Sequence, residues 1–380
     1  MRSNSSKPFL VRLRAFAVED RCAQIVWGDS SPGPLQVLVE GRVLTVENRA
    51  GGPGAIELED LTPDTTYRVD VRHQQRGTRS RCRFRTVASP RGHELTRFAT
   101  LSDMHFGARH FGLLKTIVEV PQPAEPHPIR CARSAIHEAE RWGATSLIVK
   151  GDITDKGRVA EWQMANETLG KATVPLFAFA GNHDTGRHRD VEPPIGFDVR
   201  DAVWVDDVTV EDRPGLRLIL VNTAMPGRSR GAISHRTDAV LTAAAESDRP
   251  VMVMTHQHLQ RYRLAYYHPF GITKSESTYL LDALVRIGRP TMVSSGHSHR
   301  NRVRRHGPVT ISEVASTKDY PGVWAGYVVH EGGVRQVVRR VAEPSALQWT
   351  EYTRRALAGA WAYWSPGRLT DRSFVVHWPR

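Results

Sequence analysis

The chain has no apolar run near the ~20 residues needed to cross a bilayer, which excludes a transmembrane helix. The polar opening, with Arg12 and Arg14 interrupting the apolar stretch behind it, lacks the core of a secretory signal, so a cytoplasmic protein is expected. Cysteine is scarce: 3 in 380 residues (Cys22, Cys82 and Cys131), with no C-x-x-C pair, which argues against a disulfide framework and a zinc ribbon. Lysine is scarce too. Only 7 of the 52 basic residues are lysine, and no basic run is interleaved with aromatics into a stacking groove for single strands. The net charge of +12 therefore suits an anionic substrate without specifically indicating nucleic acid. What remains, 40% hydrophobic and 24% charged over 380 residues, is enough for a sizeable core in more than one domain.

Two kinds of pattern follow each other along the chain. Short candidate strands at 11–16, 23–27, 35–39, 55–58, 67–72 and 82–86 are separated by Gly/Pro/Ser clusters, which predicts a small β-sandwich. The stretch Leu61-Thr62-Pro63-Asp64-Thr65-Thr66-Tyr67, with Trp27 closing an earlier strand, resembles the fibronectin type III pattern at its tyrosine corner. Beyond a linker, apolar strands alternate with helical spacing at 129–143, 159–169, 236–245 and 276–287, which predicts an α/β layered architecture. The expected division is a flexible N-terminus (1–8), a fibronectin type III-like sandwich (9–88), a linker (89–94), an α/β domain (95–341) and an aromatic-rich extension (342–380) whose aromatics dock on the domain surface. Residues 106–128, with four prolines, are long for a strand-to-helix connection and suggest a lid or a disordered segment.

The chemistry is concentrated in five motifs, each following an apolar run: Asp103-Met104-His105, Gly151-Asp152-Ile153-Thr154-Asp155, Gly181-Asn182-His183-Asp184, His256-Gln257-His258 and Gly296-His297-Ser298-His299. In α/β sheets ligands bind beyond the carboxyl ends of the strands, where these motifs fall. Asp103 and His105 leave a strand end on the same side. Asp152 follows a glycine that permits a sharp turn, and its two oxygens can bridge two cations. Asn182 offers a neutral oxygen, and His256, His297 and His299 offer nitrogens. His256 is preferred over His258 because it comes first after its strand. Mixed oxygen and imidazole donors suit Mn, Fe or Zn better than Ca or Mg, and two such clusters describe a two-metal hydrolytic site.

This order of motifs, D-x-H, G-D-x-x-D, G-N-H-D, H and G-H-x-H, resembles the calcineurin-like metallophosphoesterase superfamily over about residues 96–341, with no ligand missing. The resemblance implies a four-layer sandwich of two mixed β-sheets flanked by helices. It implies that Asp103, His105, Asp152 and His299 hold one divalent transition-metal ion, and that Asp152, Asn182, His256 and His297 hold the other. It further implies that His183, oriented by Asp184, contacts the phosphoryl group or the leaving oxygen, that Asp155 supports the site without ligating, and that a hydroxide between the ions attacks phosphorus. Where many members carry H-H-x-P this chain has His256-Gln257-His258-Leu259, and Asp155 stands where the purple acid phosphatases carry a metal-binding tyrosine. The expected substrate is a small phosphodiester, such as a cyclic nucleotide or a glycerophosphodiester. Two other readings stay open: a nuclease, and a binding protein whose sandwich recognises a partner or glycan. The oligomeric state is not legible.

Overall fold

The structure is a computed structural model that describes residues 10–379 except 75–78, 113–114, 122 and 264–268; the N-terminal segment 1–8 lies outside the described residues. The chain divides into two compact units, Met1–Ser89 and Pro90–Arg380.

The first unit contains a three-stranded antiparallel sheet (Arg14–Val18, Ala23–Trp27, Gly54–Leu58) and a four-stranded one ordered Arg42–Val46, Leu35–Val39, Thr66–His73, Arg79–Arg85. Thr66–His73 alternates buried and more exposed positions along its length, as a strand with one face on a core must. Phe16, Trp27, Val37, Val69 and Val71 lie in that core. The strand Arg42–Val46 was not expected. It is largely exposed and pairs only with Leu35–Val39, so no period-2 apolar signal marks it.

The second unit is built on two mixed sheets. The seven-stranded one runs Val203–Trp204, Leu176–Phe179, Leu147–Lys150, Glu94–Leu101, Val323–His330, Gly333–Arg340, Ser373–His377, the first four parallel and the rest antiparallel. The six-stranded one runs Val208–Arg213, Leu216–Val221, Val251–Thr255, Thr291–Ser295, Val309–Glu313, Arg302–His306, with a parallel centre and antiparallel edges. Alternate residues of the central strands face different partners. Leu147, Val149, Leu176 and Ala178 pack with the helices His127–Arg141, Val159–Leu169 and Pro344–Thr353. Ile219, Val221, Val251 and Val253 pack likewise with Thr237–Ala245 and Lys274–Ile287. The intervening Phe98, Ile148, Phe177, Leu218, Leu220, Met252 and Met254 are equally buried, so each sheet is covered on both faces. Strands buried on both faces read as continuous apolar runs, which is why they stood out in the sequence. Polar links join the sheets: Tyr327 and Ser294 share a hydroxyl hydrogen bond of 2.8 Å, and Lys150 Nζ donates to Ser294 Oγ at 3.0 Å. The α/β fold with two mixed sheets flanked by helices is thus present as expected.

Two segments gain detail. The segment 342–380 adds a strand to the seven-stranded sheet, while its Tyr352, Tyr363 and Trp364 stay exposed. Ser373–His377 pairs with Gly333–Arg340 and covers what would be an open sheet edge, and Trp349 is buried with its Nε1 on the Lys318 carbonyl at 2.7 Å. The stretch 106–128 contains a short hairpin, His110–Phe111 against Ile117–Val118, and then enters its helix at His127.

Candidate metal centre

Every motif lies just past the carboxyl end of a parallel strand: Asp103 after Leu101, Asp152 after Lys150, Asn182 after Phe179, His256 after Thr255 and His297 after Ser295. The backbone there is unusual. Asp103 (φ 56), His105 (φ 47), Asp152 (φ 48), His297 (φ 67) and His299 (φ 49) all adopt the left-handed region that non-glycine residues avoid. Each such residue costs on the order of 1–3 kcal/mol, a strain that persists only where the surroundings over-determine it and that clusters at functional sites. Close approach also explains a motif glycine: a Cβ on Gly181 would overlap the Asp152 carboxylate.

The side chains gather in two buried groups, Asp103/His105/His299 and Asp152/His256/His297. In the first, His105 Nε2 and His299 Nε2 lie 3.4 Å apart, and His299 Nε2 lies 3.3 Å from Asp103 Oδ1. In the second, His256 Nε2 lies 3.3 Å from both Asp152 Oδ1 and Asn182 Oδ1. Asp152 faces both groups, its other oxygen Oδ2 standing 3.7 Å from His105 Nε2. Two donors each about 2.1 Å from one ion at a tetrahedral angle are about 3.4 Å apart. The donor set therefore fits divalent ions, and Asp103 Oδ1, buried without a hydrogen bond, is the kind of atom a cation would satisfy. A third group, His105/Asp155/His183, shares His105 with the first. Its His183 Nδ1 is already committed, donating to the Asp155 carbonyl at 2.8 Å.

Neighbouring acceptors fix which nitrogen each ring presents. His256 Nδ1 donates to the Lys150 carbonyl (2.7 Å), His299 Nδ1 to Asp319 Oδ2 (2.8 Å), and His297 Nε2 to the Phe270 carbonyl (3.0 Å). The opposite nitrogen of each is left toward the site. Burial would raise Asp103 and Asp152, but the imidazoles around them outweigh it and hold both carboxyls low, Asp103 at about 2. Burial likewise opposes protonation of His256 and His299, yet the facing carboxylates raise them to about 9 and about 10. His105 and His297, buried beside other positive charges, fall well below the ordinary value. Without a cation, protons on two imidazoles compensate the carboxylates, and a bound metal would displace them.

Asp184 does not orient His183. Its carboxylate is wholly buried and accepts from Ile153 N (3.2 Å), Thr154 N (2.7 Å), Thr154 Oγ1 (2.8 Å) and Gly181 N (2.8 Å), so all its acceptor capacity ties two motif loops together. A carboxylate that caps four donors cannot also reach an imidazole, and the Asp155 carbonyl positions His183 instead. The His183 side chain is 42% exposed and stands edge-on to His105 at 4.4 Å. His258 lies outside both metal groups, stacked on His297 at 5.7 Å, and burial lowers it to about 4.

Three contributors escaped sequence reasoning. Asp319, in a loop with no motif spacing to His299, had no signal. Ser102 donates to Asp103 Oδ2 and was hidden as a small polar residue before the motif. Lys150, wholly buried and lowered to about 7 chiefly by burial, bonds Ser294 Oγ and the Ser295 carbonyl beneath the site. A lysine closing an apolar strand was the one available hint.

Comparison with known proteins yields related matches. The family model described as calcineurin-like phosphoesterase matches residues 96–301. The chain is 27% identical over 181 residues to a glycerophosphodiester phosphodiesterase, GpdQ, of Enterobacter lignolyticus, covering 45% of this chain and 62% of that protein. It is 23% identical over 173 residues to a 3',5'-cyclic adenosine monophosphate phosphodiesterase, CpdA, of Pseudomonas aeruginosa, covering 45% and 60%. The chain thus spans about three fifths of the length of these curated relatives. Among solved structures, that of PhoD aligns with 90% of this chain and 89% of its own, at 9% identity and a TM-score of 0.45.

Proposed function

The chain belongs to the calcineurin-like phosphoesterase family, and from that premise we propose that it is a two-metal hydrolase of small phosphodiesters. The observation that carries the reading is Asp152, one oxygen turned to each of two donor groups whose atoms lie a shared-ion distance apart. Mn, Fe or Zn ions bound there would supply an activated water and charge compensation for the phosphoryl oxygens. Asp103, His105 and His299 would hold one ion, Asn182, His256 and His297 the other, with Asp152 between them. The left-handed ligand backbones and the Asp184 clamp hold those donors in place before substrate arrives, so little reorganisation remains for the reaction itself.

His183 has the freedom the ligands lack. Its Nδ1 is anchored on the Asp155 carbonyl, so Nε2 is the nitrogen that can pass a proton to the departing oxygen. Such a transfer is worth about 10²–10⁴-fold for a poor leaving group. The named activities of GpdQ and CpdA support a diester substrate and do not identify which one. The first unit is, in the same reading, fibronectin type III-like. Its three-plus-four strand arrangement supports this, as does the Tyr67 hydroxyl accepting from Thr62 N at 2.7 Å, a hydrogen bond back to upstream backbone as in a tyrosine corner. Among the described residues no helix is long and apolar enough to cross a membrane.

The test is a panel of monoesters, cyclic nucleotides, glycerophosphodiesters and single-stranded DNA, assayed with Mn²⁺, Zn²⁺ and Fe²⁺. Small diesters should turn over fastest and chelator should abolish turnover. Single-stranded DNA as the preferred substrate would favour a nuclease. No diester turnover with any metal would overturn the proposal.

A further inference from the structure

A cavity of about 690 Å³ lies in the second unit, within the size range of small-molecule sites. Three cations converge on it from different segments: Arg230 beyond the strand Leu216–Val221, Arg263 beyond Val251–Thr255, and Lys274 opening the helix Lys274–Ile287. None of the three has an ion-pair or hydrogen-bond partner among the described residues. The carboxylate in the lining, Asp282, is already held by His306 Nε2 at 2.7 Å. Three cations against the one carboxylate Asp282 leave the lining net positive, which focuses the field on an anion. One wall residue borders a residue of the candidate metal centre: the Phe270 carbonyl accepts from His297 Nε2 at 3.0 Å.

We infer that this cavity is a substrate subsite for a second anionic group, a phosphate carried on the same molecule as the scissile diester. The inference rests on the phosphodiesterase reading and narrows it to substrates with two separated anionic centres. The cations act on binding rather than on the chemical step, so their effect belongs in KM.

A matched pair of chromogenic diesters tests it: the 4-nitrophenyl ester of thymidine 5′-phosphate, and the same compound carrying a 3′-phosphate. The wild-type protein should prefer the 3′-phosphorylated compound at least tenfold in kcat/KM. A triple Arg230→Gln, Arg263→Gln, Lys274→Gln variant, altered only at exposed positions, should lose that preference through KM and keep its activity on the simpler ester. An unchanged preference in the variant, or none in the wild type, would overturn the subsite. Calorimetry separates this from failure of the enzyme reading. Thymidine 3′,5′-bisphosphate should bind the metal-free wild type at least tenfold more tightly than the triple variant, whether or not either ester is hydrolysed. Equal binding would sink the subsite, while a difference without hydrolysis would keep the subsite and remove the phosphodiesterase.

Discussion

Asp319 has no place in any motif, yet it orients an imidazole of the candidate metal centre, a role that substitution can measure. Its Oδ2 accepts from His299 Nδ1 at 2.8 Å, and the residue is fully buried. With Asp103 it outweighs the effect of burial on His299 and raises that imidazole to about 10. Carboxylates that orient a metal-binding histidine in this way are worth about 10–100-fold in metal affinity, which is about 1.4–2.7 kcal/mol. Asp319→Asn keeps an oxygen for the Nδ1 proton and loses only the charge, so it should weaken one site by about tenfold, the lower end of that range. Both variants remove the carboxylate charge 3.6 Å from the buried Lys318 Nζ, but Asp319→Ala also removes the oxygen that accepts from His299 Nδ1 and leaves no polar group beside either side chain. The asparagine variant is therefore the cleaner probe. Competition titration against a chromophoric chelator should show the Asp103/His105/His299 site weakened and the Asn182/His256/His297 site within about twofold of wild type. Equal weakening of both sites, or of neither, would refute the reasoning.

Three further outcomes follow. His256→Ala should lose one ion, whereas His258→Ala should keep both and alter KM, as metal content on the two variants would show; the reverse would move the ligand role to His258. His183→Ala should retain both metals and lose about 10²–10⁴-fold on a diester with an alkoxide leaving group, with a much smaller loss for nitrophenolate; metal loss would make His183 a ligand. Because His256 and His299 have folded values of about 9 and about 10, above their unfolded 6.5, their protonation stabilises the metal-free protein fully below pH 6.5 and is lost as pH rises through those values. Thermal melts of chelated protein should therefore fall between pH 6.5 and 9, while metal-loaded protein should gain on it; a flat difference between the two forms would count against imidazoles that exchange protons for metal.

How much of this was legible depends on what each residue has to advertise. Strands buried on both faces announce themselves as apolar runs. Leu35–Val39 and Ala23–Trp27 were read to the residue, and so was the helix Val159–Leu169. The exposed strand Arg42–Val46 carried no pattern, and Ser373–His377 was masked by the aromatics around it, because edge pairing is decided by a distant partner strand. At the site, residues immediately following strands were legible because topology sends strand ends to one place. Asp319 and Ser102 were not, since supporting contacts obey no fixed spacing. The role given to Asp184 failed for a related reason: adjacency to His183 in sequence suggested contact, whereas the carboxylate turns inward to four donors. The left-handed conformations at five of the seven expected ligands were also invisible, because nothing in the identity of Asp or His demands them.

The most direct test of the central claim is anomalous diffraction from crystals of the Mn²⁺-loaded protein. Two peaks about 3.5–4 Å apart are expected, the usual spacing of two-metal sites. One should lie among Asp103, His105 and His299 and the other among Asn182, His256 and His297, with one Asp152 oxygen on each. A single peak, or an Asp152 carboxylate contacting only one ion, would contradict the account.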